Sequence, residues 1–301
     1  MNNLSSHAKL EKRFRIQGSL VLKTALHLGG GNVPARGTDS PILRDGFDRP
    51  YLPGSSLKGA LRAAVERIAP NLKATACGLF LEDAEQETNT IKCMTPQKKG
   101  GLGDVYRELE KALGQPYDTH RAKLTTLING QADMPETKTI QEEHLLMALA
   151  ANLCDACKAF GSPFMASPVY FHDAPVNEDS WIGLTQVRDG VGIDRDSGRA
   201  VDRIKYDYEI VPPDTVFDFS LTVESGDGKT LGLVALALHE LKNGNIPLGG
   251  IRTRGLGRCD LQNATVQYID FNDLKSYLLD NTWKEMSIDE FITKHIEVLL
   301  S

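Results

Sequence analysis

Tyr51-Leu52-Pro53-Gly54-Ser55-Ser56-Leu57-Lys58-Gly59-Ala60-Leu61-Arg62 runs from a short extended segment into the first turns of a helix. Pro53 and Gly54 break the extended chain, and Ser55 or Ser56 is placed to cap orphan N–H groups. Leu57, Leu61, Ala64, Val65 and Ile68 then recur at helical spacing until Pro70 stops the run. A helix start of this kind attracts phosphate through its backbone donors and its dipole. Lys58 and Arg62, four residues apart, share one face, so Gly54, Ser55, Ser56, Lys58 and Arg62 form a candidate polyanion contact. The same residues also describe a well-capped amphipathic helix with a solvated basic edge. The spacing G-x-x-x-x-G-K-[ST] is absent, which leaves nucleotide hydrolysis without support.

Upstream, Phe14 to Leu28 alternates polar and apolar residues over much of its length and predicts a strand with one buried face, ending at Gly29-Gly30-Gly31. Residues 32–53 read as loop plus a short hairpin turned at Asp45-Gly46-Phe47-Asp48. Downstream, 71–165 changes character and reads as an insertion. Short strand-like sequence follows at Pro168–Phe171, then a long hairpin over 188–212 with Asp194-Arg195-Asp196-Ser197-Gly198 at its tip. A strand over Phe217–Val223, an apolar helix over Leu231–Leu241, a glycine-rich run at 249–257 and a strand to about Ile269 complete the core, with two short helices in 270–301. Strand, helix, insertion, strands, helix and strand in that order predict an α+β domain with a four-stranded sheet of ferredoxin type, one domain over 1–301.

At 301 residues with 41% hydrophobic and 25% charged, the composition is that of an ordinary globular protein. No apolar run reaches the length of a membrane helix and the first residues carry no signal pattern, so the expectation is a cytoplasmic protein with no membrane partner. The net charge of −6 argues against indiscriminate nucleic-acid binding. Locally the balance differs: Arg36, Arg44, Arg49, Lys58 and Arg62 face only three acids between Arg36 and Arg62, and 248–258 carries Arg252, Arg254 and Arg258 with no acid. From Asp270 to Glu297 seven acids outnumber three lysines, so a polyanion would meet the first two segments and be repelled by the last.

Consecutive glycines let backbone approach a ligand closely, and Arg252, Arg254 and Arg258 are interleaved with them, although the same run reads as a turn whose arginines face water. Five cysteines, two of them in Cys154-Asp155-Ala156-Cys157, favour reduced thiols or metal ligation over a disulfide framework. Cys77 and Cys93 are placed to complete a four-thiolate zinc site with Cys154 and Cys157, stapling the insertion, with His144 or His120 as substitutes for Cys93. A redox pair is less favoured, because Leu145–Leu153 reads as a helix leading into the motif. Cys259, inside a strand, reads as core.

Three linked segments then become recognisable: Leu26-His27-Leu28-Gly29-Gly30, Gly37-Thr38-Asp39-Ser40-Pro41-Ile42-Leu43-Arg44-Asp45, and Tyr51 to Arg62. In that order they resemble the RAMP superfamily, specifically the repeating backbone subunit of type III CRISPR effector complexes, of type III-D or a related kind with zinc. The run from Gly249 to Arg258 is similar to that superfamily's glycine-rich loop. Phe160-Gly161-Ser162, and Val191-Gly192-Ile193-Asp194-Arg195 followed by Asp207-Tyr208-Glu209, resemble further signatures, the latter the hairpin called the thumb. The resemblance covers most of the chain except the insertion.

The resemblance implies an RRM-like RAMP core whose copies line up along a guide RNA (crRNA), grip its backbone and kink it with the thumb, here offering Val191, Ile193 and Arg195. The partners implied are crRNA, target RNA and other CRISPR effector subunits, adjacent RAMP subunits included. In active members an aspartate in the loop after the first strand cuts the paired target RNA, and that position matches Asp39. A carboxylate in such a loop can hold a divalent metal, magnesium foremost, or orient a ribose 2′-hydroxyl for in-line attack. Asp39 also satisfies the needs of a turn before Ser40-Pro41. His27 and Arg44 join the helix and glycine-loop residues as RNA-facing candidates, although a histidine at a strand edge is more often structural. Two alternatives stay open: an architectural crRNA-binding subunit in which Asp39 is inert, and a metal-independent guide-processing endoribonuclease using His27. Some type III backbone subunits have no zinc, so the cysteine pattern departs from the simplest members.

Overall fold

In β1 (Lys12–Leu22) Phe14, Ile16, Leu20 and Leu22 are buried while Arg15 and Gln17 are exposed, the two-residue period of a strand with one face in a core. The computed structural model describes residues 10–30, 38–77, 153–162 and 165–301, and the side chains of these except at 202–204. Cys93, Arg36, His120, His144 and most of the expected insertion therefore lie outside the described residues. After β1 come β2 (Tyr51–Leu52), α1 (Gly54–Ile68), α2 (Asp155–Phe160), β3 (Val169–Phe171), β4 (Ala174–Pro175), β5 (Gln186–Ile193) and β6 (Ala200–Ile210). The chain continues through β7 (Val216–Val223), α3 (Gly228–Lys242), β8 (Cys259–Asp270), α4 (Leu274–Asp280), β9 (Lys284–Ser287) and α5 (Ile288–Leu300).

Five strands form one sheet in the order β3-β7-β1-β8-β9, and every neighbouring pair runs antiparallel. The protein is thus α+β with an antiparallel sheet. A bulge interrupts β1 and β8, where the register jumps between Gln17 and Ser19 and Asn263 takes a φ of 51°. Gly18 sits tightly at this point, where a Cβ would lie 3.0 Å from the Gln262 carbonyl oxygen. The core is closed by Leu57, Leu61 and Val65 from α1, Leu231, Leu233, Val234 and Leu238 from α3, and Phe291 and Leu299 from α5, against Phe217 and Phe219 of β7. Asp227 caps α3 by accepting the Thr230 N–H at 2.8 Å.

Two expectations change. The first strand stops at Leu22 rather than Leu28, because from there the backbone turns to other partners: the Lys23 N–H donates to the Arg258 carbonyl and Leu26 bridges Val211. The sheet has five strands rather than four. The fifth, Lys284-Glu285-Met286-Ser287, is a polar edge strand whose composition hides its pairing with β8.

β5 and β6 pair into a separate two-stranded sheet. At its tip Asp194 Oδ1 accepts the N–H and the hydroxyl of Ser197 and the N–H of Asp196, which hold its carboxyl below the usual range.

Candidate nucleic-acid interface and thiolate centre

Asp39 is exposed, and its backbone is held by β6. Its N–H donates to Asp207 Oδ1 at 2.6 Å, the Thr38 hydroxyl donates to the same oxygen at 2.6 Å, and the Asp207 N–H returns a bond to Asp39 Oδ2 at 3.1 Å. The Thr38 hydroxyl, then the Asp39 N–H, hold the Asp207 carboxyl below its ordinary range. Two residues along the same strand, Glu209 grips the other end of the loop: its N–H donates to the Ser40 carbonyl at 2.9 Å and its Oε2 accepts the Ile42 N–H at 3.0 Å.

His27 lies inside, 7% exposed, with both ring nitrogens engaged. Nδ1 faces the Glu209 carbonyl at 2.7 Å, and since a carbonyl only accepts, this nitrogen carries the proton. In the neutral ring Nε2 then accepts from the Ser40 hydroxyl at 3.2 Å. The His27 carbonyl accepts the Gly250 N–H at 2.8 Å, so one residue joins the Asp39 loop to the glycine-rich run. Arg44 is also turned inward, paired with Glu209 and donating to Thr185 Oγ1 at 3.1 Å. Burial pushes the Glu209 carboxyl up, but the bonds from Thr185, Ile42 and Arg44 outweigh it and leave the group below its ordinary range.

The glycine-rich run packs on the chain after β1. Gly249 has a φ of +73°, and a Cβ there would sit 2.3 Å from the His27 carbonyl oxygen. The tight seat turns Arg252 and Arg254 outward in a short 3-10 turn, and both are exposed, as is Arg258. Arg254 lies over the ring of Tyr206, the residue before Asp207, 5.4 Å from its centroid.

Helix α1 departs from its expected cap. Pro53 is the cap residue and makes no side-chain bond, while Asp173 Oδ1 accepts the Gly54 N–H at 2.7 Å. Gly54 is buried against β3, where a Cβ would lie 2.2 Å from the Phe171 carbonyl oxygen, so its N–H is not offered to a ligand. Ser55 and Ser56 are exposed. Lys58 is half-buried, and burial, then the Arg62 charge, lowers its pKa. Arg62 points into the fold: Nε donates to Glu66 at 2.7 Å, Nη1 to the Gly161 carbonyl at 2.8 Å and Nη2 to Cys157 Sγ at 3.2 Å.

The Sγ atoms of Cys77, Cys154 and Cys157 lie within 4.8 Å of one another and all three residues are buried. Cys154 caps α2, accepting the Cys157 N–H at 3.3 Å, so the pair opens a helix. The helix expected ahead of it lies outside the described residues. Cys77 is brought in by a ladder missed in the sequence: Asp155 Oδ2 accepts both the N–H and the hydroxyl of Thr75 at 2.8 Å, and the Ala156 N–H donates to the Thr75 carbonyl at 3.1 Å. Cys259 opens β8 in the core, where burial, then the Asp260 charge, pushes its thiol up to about 12.

On the β5–β6 hairpin Val187, Val191 and Ile193 are each more than half exposed, and Arg195 at the tip is exposed as well.

A model of the RAMP superfamily matches residues 19–260. The CRISPR system Cms endoribonuclease Csm3 of Methanocaldococcus jannaschii is 33% identical over 109 residues, 36% of this chain and 42% of that protein. The proteins of the same name from Methanothermobacter thermautotrophicus and Enterococcus italicus are 39% identical over 61 residues and 40% over 58, covering 25% and 27% of their lengths. The chain spans less than half the length of these curated relatives. Among the described residues no helix is long and apolar enough to cross a membrane.

Proposed function

The chain belongs to the RAMP superfamily, and from that premise we propose that it is a crRNA-binding backbone subunit of a type III CRISPR ribonucleoprotein that cuts the paired target RNA at Asp39. The observation that carries this reading is the pair of bonds at His27. Its ring meets the Asp39 loop through Ser40, and its carbonyl meets the loop that displays Arg252 and Arg254. An exposed carboxylate and exposed cations are thereby anchored on one buried residue. The endoribonuclease names of three relatives support the activity. The order β3-β7-β1-β8, with α1 and α3 in the two crossovers, supports a ferredoxin-like RAMP core.

In this reading Arg252, Arg254, Arg258 and Lys58 grip RNA phosphates, Ser55 and Ser56 line the same contact, and the apolar thumb residues Val191 and Ile193 wedge the duplex or meet an adjacent RAMP subunit. Asp39 orients the attacking hydroxyl in line with the scissile phosphate. Its oxygens are hard donors of the kind that hold magnesium together with substrate phosphates. A divalent cation bound there supplies charge neutralisation at the phosphate. Both ring nitrogens of His27 are already engaged, which disfavours a guide-processing mechanism that uses it as a base.

Three buried thiols within 4.8 Å suit a structural zinc, whose tetrahedral bonds of about 2.3 Å place sulfurs at similar separations. Cys77, Cys154 and Cys157 would hold it, with Cys93 as the fourth ligand and the segment 71–165 as the stapled insertion.

The test is a reconstituted ribonucleoprotein given matched target RNA. Asp39→Ala should abolish cuts at this subunit while target binding persists, and unchanged product lengths would show an architectural subunit instead. Lys58→Glu with Arg254→Glu should weaken guide binding; retention at wild-type affinity would remove the binding role.

A further inference from the structure

We infer that Asp207 is the positioning residue that presents the Asp39 carboxylate for cleavage, an inference that rests on the reading of Asp39 as the cutting residue. Asp207 belongs to the thumb strand β6, whose side chains alternate across the ribbon. Tyr206 and Tyr208 stack on one face, with ring centroids 6.2 Å apart. Asp207 and Glu209 occupy the other and bind opposite ends of the loop 38–42.

The two carboxylates do different work. Glu209 is buried and neutralised by Arg44, which makes it a strut of the fold. Asp207 is only half-buried, and its Oδ1 takes the Thr38 hydroxyl and the Asp39 N–H, both at 2.6 Å. With the return bond from the Asp207 N–H to Asp39 Oδ2, the main chain and the carboxylate of Asp39 are both fixed to one residue. A reacting carboxylate on an otherwise exposed loop would sample many orientations, and such a clamp removes that freedom before substrate arrives. The requirement at position 207 is an acceptor oxygen and a backbone N–H. It is not the negative charge.

Asparagine keeps the acceptor and loses the charge, whereas alanine loses both. The experiment compares wild type, Asp39→Ala, Asp207→Ala and Asp207→Asn in the reconstituted ribonucleoprotein, reading single-turnover cleavage and target affinity separately. Asp207→Ala should cut about 10- to 100-fold more slowly at nearly unchanged affinity, and Asp207→Asn should recover to within about threefold of wild type. Wild-type cleavage by Asp207→Ala, or Asp207→Asn as slow as Asp207→Ala, overturns the inference. Should Asp207→Ala fail to assemble, Asp207→Asn decides alone: near-wild-type cleavage supports the acceptor role and a loss as deep as Asp39→Ala overturns it. If Asp39→Ala itself cuts normally, the underlying reading of Asp39 falls and this one with it, a pattern distinct from failure at position 207 alone.

Discussion

Arg62 Nη2 donates to Cys157 Sγ at 3.2 Å, which ties the helix of the candidate RNA contact to the thiolate centre. If the three cysteines hold zinc as proposed, a guanidinium beside them offsets the charge of the ligand thiolates and orients the Cys157 sulfur. Arg62→Ala should therefore lower zinc affinity about 10-fold or more, read by chelator competition. Arg62→Lys should not restore it, because one ammonium cannot reach Glu66, Gly161 and Cys157 together.

Glu209 and Arg44 form a pair with side chains only 9% and 16% exposed. Removing the acid strands a guanidinium in the fold, at a cost of about 3 kcal/mol. Glu209→Ala should lower the midpoint of thermal unfolding by several degrees, and Arg44→Ala with Glu209→Ala should cost less than the two singles summed.

His295 is packed among Phe14 and Phe291, and burial, then the charges of Lys294 and Lys12, depresses its pKa to about 4. The unfolded chain binds this proton near pH 6.5 and the folded chain does not until about pH 4. Stability is therefore complete above pH 6.5 and falls as the pH drops towards 4, by a term on the order of 2 kcal/mol. Denaturant titrations of wild type and His295→Leu across this range should show a shallower acid decline in the variant.

Gly54→Ala places a methyl carbon 2.2 Å from the Phe171 carbonyl oxygen, a backbone atom that cannot turn aside. The helix start must shift from β3, and the loss should be about 2 kcal/mol by chemical denaturation. Ser55→Ala, at an exposed position without a capping bond, should change stability by under about 0.5 kcal/mol.

Arg252, Arg254 and Arg258 are exposed cations on the glycine-rich run. Replacing all three with glutamine should weaken guide binding whatever its sequence and flatten the dependence of log affinity on log salt by about 0.7 per lost phosphate contact. Filter binding across a salt series gives both quantities.

Local rules made the main elements readable: the alternation of Phe14 to Leu22, the helical spacing of Leu57 to Val65, and the turn chemistry at Asp45 and Asp194. What stayed hidden is long-range pairing. Arg44 and Arg62 read as basic side chains available to RNA because their partners, Glu209 and Cys157, lie 165 and 95 residues away. The helix cap misled for the same reason, since Asp173 stands 119 residues from Gly54 and leaves the nearby serines idle. A signal for Asp207 and Glu209 existed: two acids separated by one residue in a strand share a face. Only the fold shows that the face meets the Asp39 loop.

The ladder of Thr75 to Asp155 and Ala156 holds the chain just before Cys77 against the start of α2, 80 residues further along the sequence. Closing a loop costs little more when the loop grows, about 0.6 kcal/mol for each doubling of its length. The Thr75–Asp155 junction thus closes an 80-residue separation in sequence at a chain-entropy cost that length alone changes little.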